Sequence, residues 1–214
     1  MGVASFFRKL DSKRRDRKKR PELAAFAEAI ARLTPEDVAI DCGANVGVYT
    51  VRLAESGVTV YAFEPNPAAF EALRKNVAGY PNVTAIHAAA TVEPGRVKLY
   101  LHKWAGEDPL HWSTGSSLVA GKKNVSGDSV EVEGVALAQF IRDLGRRVRI
   151  LKMDVEGAEV GILNAILDEG LHEKIDHAFV EVHDRKVREL AGPTARLRER
   201  LEALGATHFR LDWR

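Results

Sequence analysis

The chain has 214 residues, 45% apolar and 29% charged, a balance that fits a soluble globular protein and excludes disordered, collagenous and disulfide-scaffold classes. Its single cysteine, Cys42, excludes an internal disulfide and a cysteine-based zinc site, and no run of 18 apolar residues is present to span a membrane. The formal net charge of +2 is uneven: nine Lys/Arg against Asp11 and Asp16 put +7 on residues 1–20 and leave −5 on the rest.

Residues 1–20 therefore read as a basic leader, and 21–214 as one domain. Charge stands where a signal peptide needs its apolar stretch, so the expected location is cytoplasmic. The leader suits a solvated helix face first, and nucleic acid, an anionic membrane or an acidic partner second. Pro21 can open a packing helix over 21–33, with Leu23, Phe26, Ala27, Ile30 and Leu33 along one stripe. Three short apolar runs follow, DVAIDC (37–42), VTVYAFE (58–64) and VTAIHAA (83–89), read as strands buried on both faces. A helix is expected from Val48 to Glu55, and a second from Pro67 behind Asn66 as N-cap. Strands joined by helices predict a parallel sheet with right-handed crossovers.

Residues 90–147 interrupt that pattern. RVKLYLHK (96–103) and SVEVEG (129–134) alternate in polarity and predict a hairpin on the sheet. The long connection between them carries Trp104, His111, Trp112, Thr114, Ser116 and Ser117, the composition of a lid or acceptor-binding loop. The parallel theme resumes with VRILKMDV (148–155), a helix from Ala158 closed by Gly170, HAFVEV (177–182), a helix from Pro193 to Leu204 closed by Gly205, and a final strand in THFRLDW.

Chemistry concentrates at AIDCGANVGVYT (39–50), where Asp41 ends a strand and Gly43, Asn45 and Gly47 turn into a helix. Glycines at such a turn let a ligand approach the backbone and the helix N-terminus. The spacing is G-x-x-x-G, not the G-x-G-x-x-G of dinucleotide sites, and Asp41 is a poor neighbour for pyrophosphate. Glu64, 17 residues beyond Gly47, can accept hydrogen bonds from both ribose hydroxyls. Adenosine with a cationic tail, as in S-adenosylmethionine, fits better than NAD. With strand order 3-2-1-4-5, Asp154 faces the Gly43 turn across the crevice, where a methyl group would be delivered. Glu156, Glu159, Glu181, His183 and Asp184 follow at the same sheet edge. Two uses are open: a base, Asp154 or His183 assisted by Asp154 or Glu181, or a divalent metal on Asp154, Glu156, Glu181 and His183. Glu156 and Glu159 also suit the N-terminus of the next helix. Cys42 reads as a small core residue, and His87, His102 and His111 show no metal spacing.

The motifs IDCGANVGVYT, YAFEPNP (61–67) and LKMDVEGAE (151–159), in this order across about residues 34–182, resemble the class I S-adenosylmethionine-dependent methyltransferases and more narrowly the FkbM family. The resemblance implies a Rossmann-like α/β fold with a doubly wound, mostly parallel sheet, the hairpin and loop inserted between strands 3 and 4, and a single methyltransferase domain. It implies O-methylation of a small molecule or saccharide. Asp41, Gly43, Asn45 and Gly47 would line the methionine end, Tyr49 and Thr50 would belong to the same site, and Glu64 would hold the ribose. Asn66, His87 and Ala88 would lie toward the adenine, and Pro65 would belong to the same cofactor site. The rivals are an RNA methyltransferase gripping phosphate with the leader, and a non-catalytic adenosine-ligand binder. The chain ends soon after THFRLDW, so the seventh strand usual in this fold is expected to be missing or supplied by earlier segments, with the edge open to a homodimer.

Overall fold

The computed structural model describes residues 21–113, 116–118, 125–184 and 187–213; the basic leader and Thr114 lie outside them. Helix α1 (Pro21–Ala31) starts on its proline and buries Phe26 and Ala29. There follow β1 (Val38–Cys42), α2 (Val48–Ala54), β2 (Thr59–Phe63), α3 (Pro67–Val77) and β3 (Val83–Ile86). Every residue of β1 is buried, as a strand with helices on both faces requires. Asn66 caps α3 by accepting from the Ala68 and Ala69 amides, and Pro67 takes the first turn, where a missing N–H costs nothing.

The strand expected over 83–89 is shorter. The Ala88 amide bonds back to the Ile86 carbonyl, so β3 stops and the chain leaves the sheet at His87. Ala89–Thr91 then forms a separate strand, β4. With β5 (Gly95–His102) and β6 (Val125–Ala136) it makes a second sheet of order β4-β6-β5. The hairpin thus forms in antiparallel register, Val97 opposite Val132, but not on the main sheet. Its apolar face has its own core of Ala89, Leu99 and Val132, with Val97, Leu101, Leu118 and Val130 around it. A helix that sequence periodicity did not resolve, α4 (Leu137–Leu144), buries Leu137, Ala138 and Ile141 and is the crossover into the next core strand. The end of the 90–147 segment is therefore core, not insertion.

The rest is β7 (Val148–Met153), α5 (Glu159–Asp168), β8 (Ile175–Val180), α6 (Ala191–Ala203) and β9 (Phe209–Arg210). The main sheet has the order β3-β2-β1-β7-β8-β9, every recorded neighbour pair parallel. Alternate residues of β1 share it out: Val38, Ile40 and Cys42 pack with α4, α5 and α6, while Ala39 packs with α1 and α2. This is the expected doubly wound sheet. The final strand is only two residues because Trp213 turns back beneath α1, with ring centroids 4.8 Å from Phe26 and 5.1 Å from Tyr49. No helix among the described residues is long and apolar enough to cross a membrane.

Strand order reverses between β1 and β7, and there the two backbones touch. The Asp154 amide donates to the Cys42 carbonyl at 2.9 Å. Gly43 sits at φ +75°, and a Cβ on it would stand 1.9 Å from the Asp154 carbonyl oxygen. Gly43→Ala should therefore lower unfolding stability by about 3 kcal/mol or more, read from urea denaturation midpoints, since neither backbone can yield cheaply.

Candidate active site

A solvent-open cleft of about 640 Å³ lies above the carboxyl ends of β1, β2 and β7. Its lining includes Gly43, Asn45, Glu64, Pro65 and Asn66 on one side and Asp154, Val155 and Glu156 on the other.

Asn45 adopts φ +50°, a left-handed turn that asparagine tolerates. This aims its amide at Glu64 Oε2, 2.7 Å away, while the Asn66 amide reaches Oε1 at 2.8 Å. Glu64 is thereby fixed by one bond to each oxygen, with acceptor capacity left over for ligand hydroxyls. Burial pushes its carboxyl up to about 7, against the lowering effect of the two amides.

Asp41 does not enter the cleft. Its carboxylate accepts from Thr50 Oγ1 at 2.7 Å and lies 3.1 Å from Lys152 Nζ, in a pair with almost no solvent exposure. Lys152 also donates to the Gly43 carbonyl at 2.8 Å and stands 5.6 Å from the Tyr49 ring centroid. The cation expected beside Asp41 is thus the protein's own. Asp41 and, to a lesser degree, Asp154 hold the ammonium above the ordinary lysine range although burial opposes it. Thr50, Tyr49 and Gly47 brace this underside: Gly47 turns into α2 at φ +88°. His87 is exposed, stacked on Phe70 at 4.4 Å, with Nε2 3.2 Å from the Pro65 carbonyl; neither it nor Ala88 is among the cleft-lining residues, whereas Ala89 and Ala90 are.

Across the cleft, β7 ends in a tight turn, with Glu156 at φ +58° and Gly157 at φ +122°. Glu159 clamps it from inside: fully buried, it accepts from the Val155 and Gly157 amides at 3.0–3.1 Å and faces His183 Nδ1 at 2.9 Å. His183 Nε2 lies 3.1 Å from Glu156, 3.7 Å from Asp154 and 3.8 Å from Glu181. The contact to Glu156 is ionic without hydrogen-bond alignment, so Nε2 and Asp154 Oδ1 are both buried without an aligned partner. Burial works against charge on His183, but Glu156 and Glu159 outweigh it and raise the imidazole to about 10. Glu156 and Glu159 thus favour the protonated ring, so Nε2 must lose its proton before it can accept one or bind an ion. Asp154 is raised to about 6, by burial first and by Glu181 and Glu156 after it, with Lys152 and His183 opposing. Asp154, Glu159 and His183 each offer a ligand atom within 4.8 Å of the others, so a metal could be held here.

A strap from the second sheet borders the cleft through Ser113, Ser116 and Leu118. Ser113 accepts from the Asn45 amide group at 3.0 Å, Ser116 from that of Asn66 at 3.3 Å, and Ser117 donates to the Glu156 carbonyl at 2.6 Å. Trp112 stacks on His102 at 4.5 Å with His111 edge-on, while Trp104 stays 45% exposed. Cys42 is core, its thiol pushed up by burial. Sequence reasoning missed Lys152, Ser113 and the clamping role of Glu159. A lysine inside a strand otherwise buried on both faces was the available signal for the first.

A family model described as methyltransferase FkbM domain matches residues 41–207. The chain is 29% identical to 31-O-demethyl-FK506 methyltransferase FkbM of Streptomyces tacrolimicus, over 71% of this chain and 67% of that one. It is 29% identical to Methyltransferase 1 of Beauveria bassiana, over 73% and 69%. It is 26% identical to hexuronic acid methyltransferase AglP of Haloferax volcanii, over 69% and 56%.

The buried ion pair is open to a direct check. Lys152→Met should cost about 3–5 kcal/mol of stability by stranding Asp41. Adding Asp41→Asn should recover much of it in the same denaturation assay.

Proposed function

Since the chain belongs to the FkbM methyltransferase family and is an S-adenosylmethionine-dependent enzyme, we propose that it transfers the methyl group to a hydroxyl oxygen of a small molecule or saccharide. The observation that carries the site assignment is Glu64, held by two backbone amides, one on each carboxylate oxygen, with its remaining lone pairs open. It accepts from the ribose hydroxyls, Asn45 and the Gly43 turn follow the methionine end, and Pro65, Asn66, Ala89 and Ala90 flank the adenine. Asp41 acts indirectly: by holding Lys152 it ties down the Gly43 carbonyl. This leaves the sulfonium facing Asp154.

Methyl transfer is an in-line displacement that asks the protein for alignment rather than a nucleophile. Asp154 lines the cleft opposite the cofactor turn and orients the acceptor hydroxyl there. His183 and Glu181 lie behind it and set its field. Oxygen as acceptor is supported by the relatives named for demethyl-FK506 and hexuronic acid, and by DVEG after β7, where enzymes that grip planar amines carry Pro-Pro-aromatic.

S-adenosylhomocysteine should raise the melting temperature while NAD does not, and Glu64→Ala should abolish the shift. Because the nucleoside needs Glu64 ionised and its carboxyl sits near 7, affinity should be level above that pH and fall below it, by about tenfold between pH 8 and pH 6 in calorimetric titration. Asp154→Ala should keep S-adenosylhomocysteine affinity and lose turnover by at least about a hundredfold. In a transfer screen over sugars, polyketide-like alcohols and RNA, methylation of RNA alone would sink the small-molecule assignment.

A further inference from the structure

We infer that the floor of the cleft beside Asp154 is a divalent cation site, ligated by His183 Nε2 and the carboxylates of Asp154, Glu156 and Glu181. Three observations converge. The first is spacing. Ligands about 2.1 Å from a common centre stand roughly 3.0–3.5 Å apart. Carboxylate oxygens of Glu156, Asp154 and Glu181 lie 3.1, 3.7 and 3.8 Å from Nε2, so each stands at or just beyond ligand-to-ligand distance from that nitrogen.

The second is an unmet polar atom. His183 is only 1% exposed, and its Nε2, aimed into the cluster, has no aligned hydrogen-bond partner; Asp154 Oδ1 beside it has none either. Buried polar atoms are rarely left so, and an ion between them satisfies both. The third is what stands behind the ring. Glu159 is fully buried, anchored by the Val155 and Gly157 amides, and faces Nδ1 at 2.9 Å. A carboxylate on one imidazole nitrogen is the outer support of metal-binding histidines, fixing the tautomer so that the other nitrogen points to the metal. Glu159 is near enough to count among the ligands, but its oxygens are already engaged by those amides and the ring. It is the orienting group.

One imidazole with three carboxylates suits Mn²⁺ or a neighbouring first-row divalent ion better than Ca²⁺. The ion's role rests on the methyl-transfer assignment above. Bound to the acceptor hydroxyl, a divalent ion lowers that group's pKa, as it does for water. The hydroxyl proton passes to solvent, the oxygen forms its bond to the methyl carbon, and the carbon–sulfur pair stays on sulfur as the neutral thioether. An acceptor with two adjacent oxygens, such as a sugar diol, would chelate the ion and be selected by it.

The test uses the full chain, stripped with EDTA and titrated with Mn²⁺ by electron paramagnetic resonance. One ion per chain is expected, with nitrogen modulation from one imidazole in the pulsed spectrum. Glu181→Gln and Glu156→Gln should each weaken uptake by at least about tenfold. Absence of stoichiometric uptake, absence of nitrogen coupling, or uptake by both variants equal to that of the wild type overturns the site. The pulsed spectrum needs only wild-type protein, so a variant that misfolds does not decide the matter. S-adenosylhomocysteine binding on the same samples separates the two claims. If the nucleoside binds and Mn²⁺ does not, the ion alone falls. If Mn²⁺ binds and the nucleoside does not, the site stands and the methyl-transfer assignment falls.

Discussion

Contact between two backbones at the switch point organises everything above it. Because Gly43 has no side chain, the turn after β1 can press against the Asp154 carbonyl, at a separation that excludes any Cβ. That contact sets the distance between the two walls of the cleft, Gly43 to Asn66 on one side and Asp154 to Glu156 on the other. It also sends the chain through a left-handed Asn45, whose amide then meets Glu64. Glu64 is therefore positioned by the loop after β1 as much as by β2. Anything that moves Gly43 moves the Glu64 carboxylate and Asp154 together.

Charge is arranged in two tiers around this contact. Below it, Lys152 spans Asp41 and the Gly43 carbonyl, so one buried ammonium offsets a carboxylate and tethers the loop. Beside it, Asp154, Glu156, Glu159 and Glu181 surround one imidazole. The first tier is internally balanced and cut off from solvent, which makes it structural. The second carries more negative charge than His183 can offset and borders the cleft, which makes it the natural location for chemistry.

Much of this was legible from one chain of letters. Apolar runs of strand length between helical patterns predict the doubly wound sheet, and Asn66-Pro67 marks the start of α3 to the residue. Glu64 and Asp154 stand out because each ends a buried strand with an acid. The rest depends on partners distant in sequence. Asp41 looks like a ligand for a cation until Lys152, 111 positions away, is brought against it. The acidic surroundings of His183 likewise come from Glu156 and Glu159, which only the fold brings onto the ring. The break after β3 is invisible because VTAIHAA has the right composition throughout; only the competing sheet, which claims Ala89–Thr91, divides it. Helix α4 was hidden for a related reason: LAQFIRDL is short and follows a strand without a side-chain cap.

The strap from the second sheet gives the cleft its last property. Ser113 and Ser116 rest on Asn45 and Asn66, and Ser117 bonds both the Glu156 carbonyl and the Tyr100 backbone. The three side-chain bonds are worth about 1 kcal/mol each. Its footings are the residues that present Glu64 on one side and the turn after Asp154 on the other. The strap, the turn after β1 and the turn after β7 consequently share hydrogen bonds. A ligand that competes for the amide groups of Asn45 or Asn66 loosens the strap, and one that settles without disturbing them leaves it closed. Leu99 of the hairpin and Leu118 of the strap line the same cleft, so the second sheet supplies part of its apolar wall.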